Sequence, residues 1–158
     1  MKNGFTLIEI LVTVTILSLL IGGSIAGYSS FNQKQKLKSS GLTLKNTLRM
    51  AQSRSYTGEG CPAPTPFAGW NVDLANRSIY ALCGYNTPTP QPTIKFYLQP
   101  NITIVAPPPP ILFRSFPQGT NYTGTICLRS SEMTNTYYKL QVEASGNIIE
   151  YPVVTGCP

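Results

Sequence analysis

The sequence has no histidine. That removes the commonest general base and the commonest metal ligand, and with them any Ser-His-Asp triad. Charge is scarce too: 11% of residues are charged, against about 25% in ordinary soluble domains. Lys+Arg 12 and Asp+Glu 6 give a formal net charge of +6. That is mild basicity, not the dense run of a nucleic-acid-binding arm. No P-loop or GxGxxG stretch occurs. None of the four cysteines forms a C-x-x-C pair, so zinc and thioredoxin-like chemistry have no ligand pattern. Asp73, Glu132, Glu143 and Glu150 are scattered and read as solvated carboxylates. The expectation is a chain with no catalytic residues, no metal and no cofactor, so not an enzyme.

What is there begins at the N-terminus. From Phe5 to Ala26 one side chain is charged, Glu9. The run Phe5–Tyr28 makes roughly 36 Å of helix, enough to cross a bilayer. A cleaved secretory signal would have an apolar core of only about 7–15 residues and an A-x-A-like site. Ser24-Ile25-Ala26 is the nearest approach to one. A plain anchor explains the apolar residues but not Glu9. A carboxylate centred in a span costs about 2.5–3.5 kcal/mol on insertion scales, so it calls for a named partner. Cutting after Gly4 would create an amino group on Phe5, one helical turn before Glu9. A neighbouring copy could supply the same cation.

The stretch Lys2-Asn3-Gly4-Phe5-Thr6-Leu7-Ile8-Glu9 resembles the class III signal of type IV pilins and type II secretion pseudopilins. The resemblance implies cleavage between Gly4 and Phe5 by a prepilin peptidase, N-methylation of Phe5, and Glu9 as the assembly carboxylate. It also implies filament subunits as partners. The location implied is the bacterial inner membrane, single-pass, with the C-terminal domain outside the cytoplasm, and then a surface or periplasmic filament. The positive-inside count points the other way: Lys34, Lys36 and Lys38 follow the span, against Lys2 and the initial amine before it. The cysteines favour the outside, because disulfides need an oxidising compartment.

Beyond the span, Leu37, Gly41, Leu44, Leu48 and Ala51 recur at helical spacing and predict a stripe that packs on a domain. Lys34, Lys38, Lys45 and Arg49 share an adjacent face, read as solvated, with acidic subunits, anionic lipid or nucleic acid as other readings. Gly22, Gly23 and Gly27 mark either a bend or a close helix approach. The helix should stop at Thr57-Gly58. The predicted division is a leader at 1–4, a helix at 5–57 (membrane-spanning to 28, amphipathic from 29) and a β-rich domain at 58–158.

Strands are expected at Trp70–Leu74, Ser78–Cys83, Thr93–Leu98, Ile102–Val105, Ile111–Phe116, Thr125–Leu128, Tyr137–Glu143 and Ile148–Val153, with Ser145-Gly146-Asn147 as a hairpin turn. The proline runs Thr87–Pro92 and Pro107–Pro110 should be surface loops. Four cysteines allow three pairings. The local one, Cys61 with Cys83 and Cys127 with Cys157, is expected.

Leu44–Arg54, Gly69-Trp70-Asn71-Val72, Ile111-Leu112-Phe113, Gly119, Ile126-Cys127-Leu128 and Tyr138–Gly146 resemble the GspH/FimT-type domain of minor pilins and pseudopilins. That implies an α+β fold, a long N-terminal helix packed on an antiparallel β-sandwich. Some FimT-like proteins bind DNA through a Gly-Arg-x-Arg stretch. Here the matching turn reads Ser145-Gly146-Asn147-Ile148-Ile149-Glu150, without arginines, so little counterion release would drive such binding. A major pilin and a simple membrane-anchored binding module are the other readings.

Overall fold

The computed structural model describes residues 6–84, 89–90, 93–115 and 119–157, with side-chain burial for all of these except 23–26 and 89–90. One helix, α1 (Leu7–Thr57), comes first. The chain forms two compact units that divide within α1, the first ending at Gln35 and the second beginning at Lys36.

In the first unit α1 is long and apolar enough to cross a membrane. Its large side chains lie open, from Leu7 at 83% exposure through Leu19 at 79% to Tyr28 at 72%. Hydroxyls in this run are satisfied locally. Thr13 and Thr15 donate to the carbonyls of Ile10 and Val12, and Ser18 donates to that of Val14. A polar group that bonds back to its own helix asks nothing of an apolar environment.

In the second unit α1 ends in a Schellman motif. Gly58 adopts φ +70°, and Glu59 N–H closes on Arg54 O at 3.2 Å. A glycine takes that left-handed position without a Cβ clash, so the helix stops where Thr57-Gly58 predicts. Among the described residues nine strands follow: β1 (Phe67–Asp73), β2 (Ser78–Cys83), β3 (Thr89–Pro90), β4 (Ile94–Lys95), β5 (Ile102–Val105), β6 (Ile111–Phe113), β7 (Gly124–Ser130), β8 (Tyr137–Val142) and β9 (Ile148–Val154). They make two antiparallel sheets. One has the order β3-β2-β1-β6, with β4 also on β2; the other runs β5-β7-β8-β9.

The buried stripe of α1 and both sheets share one apolar core. It holds Leu37, Leu44, Leu48 and Ala51 of the helix, Trp70, Val72 and Ile79 of the first sheet, and Leu128, Tyr138 and Leu140 of the second. Each fully buried Leu contributes roughly 1.5–3 kcal/mol. This is the expected α+β arrangement, a long apolar N-terminal helix with antiparallel sheets packed on it.

Several details depart from the sequence reading. The strand expected at Ile111–Phe116 stops at Phe113, with Arg114 and Ser115 outside it, and the one expected at Thr125–Leu128 runs from Gly124 to Ser130. The strand expected at Thr93–Leu98 shortens to Ile94–Lys95 on β2. β1 starts at Phe67 rather than Trp70, because a register shift between Phe67 and Gly69 extends the pairing through a bulge. Thr89-Pro90 is not loop: it forms β3 at the edge of its sheet, opposite Cys83 and Leu82. Proline lacks an N–H, and an edge position can spare one. The rest of Thr87–Pro92, and Phe116, lie outside the described residues. Pro107–Pro110 lies outside the strands, as expected.

Candidate assembly helix and the domain that follows it in the chain

Among the sequence-predicted site residues, Gly4 and Phe5 lie outside the described residues. Glu9 sits in the first turn of α1. Its N–H and that of Ile10 both reach Thr6 O, at 3.1 and 3.3 Å. Thr6 thus starts the helix, and the Glu9 carboxylate lies near the positive end of the helix dipole. That side chain is exposed. Among the described residues it has no hydrogen-bond or ion-pair partner. It is the one charged side chain on a predominantly apolar surface that runs from Leu7 to Ile21. Such a surface is stable only when lipid or other apolar helices cover it, and the carboxylate then needs a cation.

The second unit holds the charges that the basic stripe carries into it. Lys38 and Arg49 are exposed, as a solvated face requires. Lys45 is not part of that face: its Nζ donates to Glu150 Oε2 at 2.7 Å across 105 residues. The same oxygen accepts from Tyr138 O–H at 3.0 Å. The bonds from Lys45 and Tyr138, with the nearby charges of Lys45 and Arg49, hold the Glu150 carboxyl below the ordinary glutamate range, against a smaller opposing effect of burial. Burial first, then the bond to Glu150 and its charge, push the Tyr138 phenol well up. Glu150 is therefore a docking point for the helix rather than a solvated carboxylate.

Gly41 makes this contact possible. A Cβ there would run into the Tyr138 ring. The missing side chain lets the ring lie on the helix and its hydroxyl reach Glu150.

Two serines inside the stripe were not legible as anchors. Ser55 is fully buried. Its Oγ lies 2.8 Å from both Ala51 O and Phe113 O, to either of which it can donate its one proton, while the same oxygen accepts from Trp70 N–H at 3.2 Å. Ser40 Oγ accepts from Gln99 N–H at 3.0 Å. Their positions, one helical turn from Leu44 and Ala51, were the available signal. Trp70 closes the end of the helix: Nε1 donates to Glu59 O at 2.6 Å, and the Arg54 guanidinium lies 4.9 Å from the ring centre.

Covalent links complete the unit. Cys61 is bonded to Cys83, with Cα atoms 5.7 Å apart, so the loop after α1 is tied to β2. Cys127 is bonded to Cys157, with Cα atoms 6.2 Å apart, so the C-terminal tail is tied to β7. Among the described residues no cluster of His, Cys, Asp and Glu could hold a metal.

With an exposed apolar helix and a first-turn carboxylate that has no partner among the described residues in place, comparison with known families adds one match. Residues 1–25 match the prokaryotic N-terminal methylation motif. The match supports a type IV pilin-like filament subunit: a protein processed by a prepilin peptidase, assembled with other pilin subunits and anchored in a membrane by this helix. Such a motif points to a structural role rather than to catalysis. The motif spans the start of the helix and not the domain. No curated protein and no solved structure matches the chain.

Proposed function

We propose that this chain is a structural subunit, a minor pilin or pseudopilin of the GspH/FimT-like kind, in a type IV pilus or type II secretion-type filament. The subunit is inserted in the inner membrane with its domain outside the cytoplasm. It is cut between Gly4 and Phe5 and methylated on Phe5. Glu9 then neutralises the new N-terminus of a neighbouring subunit as the apolar helices pack together. Heterologous contacts of this kind do not close on themselves, so they build filaments. The observation that carries this reading is the methylation motif lying on a helix whose apolar surface is open and whose one carboxylate, Glu9, has no partner among the described residues. The GspH/FimT assignment draws on the stretches from Leu44 to Gly146 and on the helix-plus-two-sheets arrangement.

Glu9→Gln tests it. The variant keeps size and hydrogen bonding but loses the charge. It should accumulate in the membrane, folded, and be missing from sheared or pelleted filament material. Incorporation equal to the parent chain would refute the assembly role and leave a membrane-anchored binding module.

A further inference from the structure

The edge of the second sheet carries a feature that the assembly reading does not use. Among the described residues β5 ends its sheet, with β7 on one side and no strand on the other. Two bonds set the phase of the ladder. Ser131 N–H donates to Asn101 O at 2.9 Å, so Asn101 faces β7. Ile102 N–H turns the other way, to Gln99 O at 3.2 Å. Hydrogen-bonding direction alternates along an antiparallel strand. Thr103 and Val105 therefore bond β7, and Ile104 presents its N–H and C=O to the open side. Among the described residues neither group has a partner.

That open side is a cleft rather than a flat edge. Leu74, Ala75 and Arg77 of the β1–β2 turn face Thr103, Ile104 and Pro107 around about 220 Å³. Leu74 is a core residue at its wall, 2% exposed. Arg77 is exposed and held in the left-handed region at φ +52°. Among the described residues its guanidinium makes no ion pair or hydrogen bond, and the Thr103 hydroxyl makes no hydrogen bond. The neighbouring carboxylate, Asp73, is already taken: Asn76 donates to it from its backbone N–H at 2.9 Å and from its side chain at 2.7 Å.

We propose that this cleft binds the end of an extended peptide chain, with its terminal carboxylate on Arg77. One residue of the peptide pairs with the N–H and C=O of Ile104, adding a short strand to the sheet. The carboxylate meets the Arg77 guanidinium and the Thr103 hydroxyl, a charge-assisted pair stronger than neutral bonds. The cleft is smaller than the roughly 300–1,000 Å³ of pockets for drug-sized molecules, which suits a chain end. Ala106, at φ +43°, and the Pro107–Pro110 run terminate β5. The added strand is therefore short, and selectivity falls on the carboxylate. The proposal concerns the second unit alone and stands whether or not the chain enters a filament.

The test uses the full ¹⁵N-labelled chain in lipid nanodiscs. The probe is an acetylated tetrapeptide of alternating valine and threonine, with a free or an amidated C-terminus. The free acid should shift the Ile104 amide and the Arg77 side-chain resonance together and saturably. Amidation, or Arg77→Asn, should weaken the apparent affinity about fivefold or more, the difference between a charged and a neutral hydrogen bond. Asparagine accepts the left-handed turn, so unchanged Ser78 and Ile102 resonances would certify the fold. An unmoved Ile104 amide with the free acid, or equal binding of acid and amide, would overturn the proposal. A shift at Arg77 alone would overturn it too, as simple anion binding at an exposed arginine.

Discussion

Glu150 shows how one side chain can change its meaning once its neighbours are known. Read along the sequence it is a surface acid in a turn that lacks arginines. In the fold it accepts from Lys45 and Tyr138 and lies in the field of Arg49. Its carboxyl titrates below its unfolded value, so its contribution is fully present above the unfolded pKa, about 4.3 for Glu. The contribution is lost as pH falls through the lower folded value. The thermal midpoint of the parent chain should therefore drop more steeply between neutral and strongly acidic pH than that of Glu150→Gln. Parallel pH profiles for the two chains would contradict this role. At Gly41 the prediction is steric. Gly41→Ala gains helix propensity but forces the Tyr138 ring off the helix, a net loss of about 1–3 kcal/mol. For a chain of this size that is a fall of roughly 2–4 °C in midpoint per kcal/mol. A midpoint equal to or above that of the parent would mean that the ring moves aside freely.

At the scale of elements, α1 does two different jobs with two different surfaces. Leu48 sits in the core stripe, and Leu48→Ala should cost about 2–5 kcal/mol through lost burial and the cavity left behind. Ser55→Ala removes the acceptor of Trp70 N–H and a donor to Phe113 O, in buried residues; about 1–3 kcal/mol is expected. Ser18→Ala, on the open part of the helix, should leave the midpoint of the domain unchanged. Equal effects of the two serine changes, read by thermal denaturation, would contradict the division.

These elements also show what a sequence makes readable. The stripe Leu37–Ala51 was legible because periodicity reports burial directly. β2 and β5 were legible to the residue because turn residues bound them. β1 began earlier than expected because the bulge at Gly69 breaks alternation. β3 was missed because proline argues against strands in general, while an edge tolerates it. At the site, Glu9 was legible as a lone charge in an apolar run. The Lys45–Glu150–Tyr138 contact was not, since no local pattern links residues 105 apart.

For the whole molecule, the account is of a filament subunit whose chemistry is assembly. In the proposed function the apolar helix is the part that assembles, and the disulfide-tied domain follows it. The central claim combines cleavage, methylation and export to an oxidising compartment. The intact, non-reduced mass of the protein isolated from its own cells tests all three at once. The account predicts a chain that begins at Phe5, heavier by one methyl group and lighter by four hydrogens than the reduced, unmodified form. A chain that begins at Met1 with free thiols would contradict it.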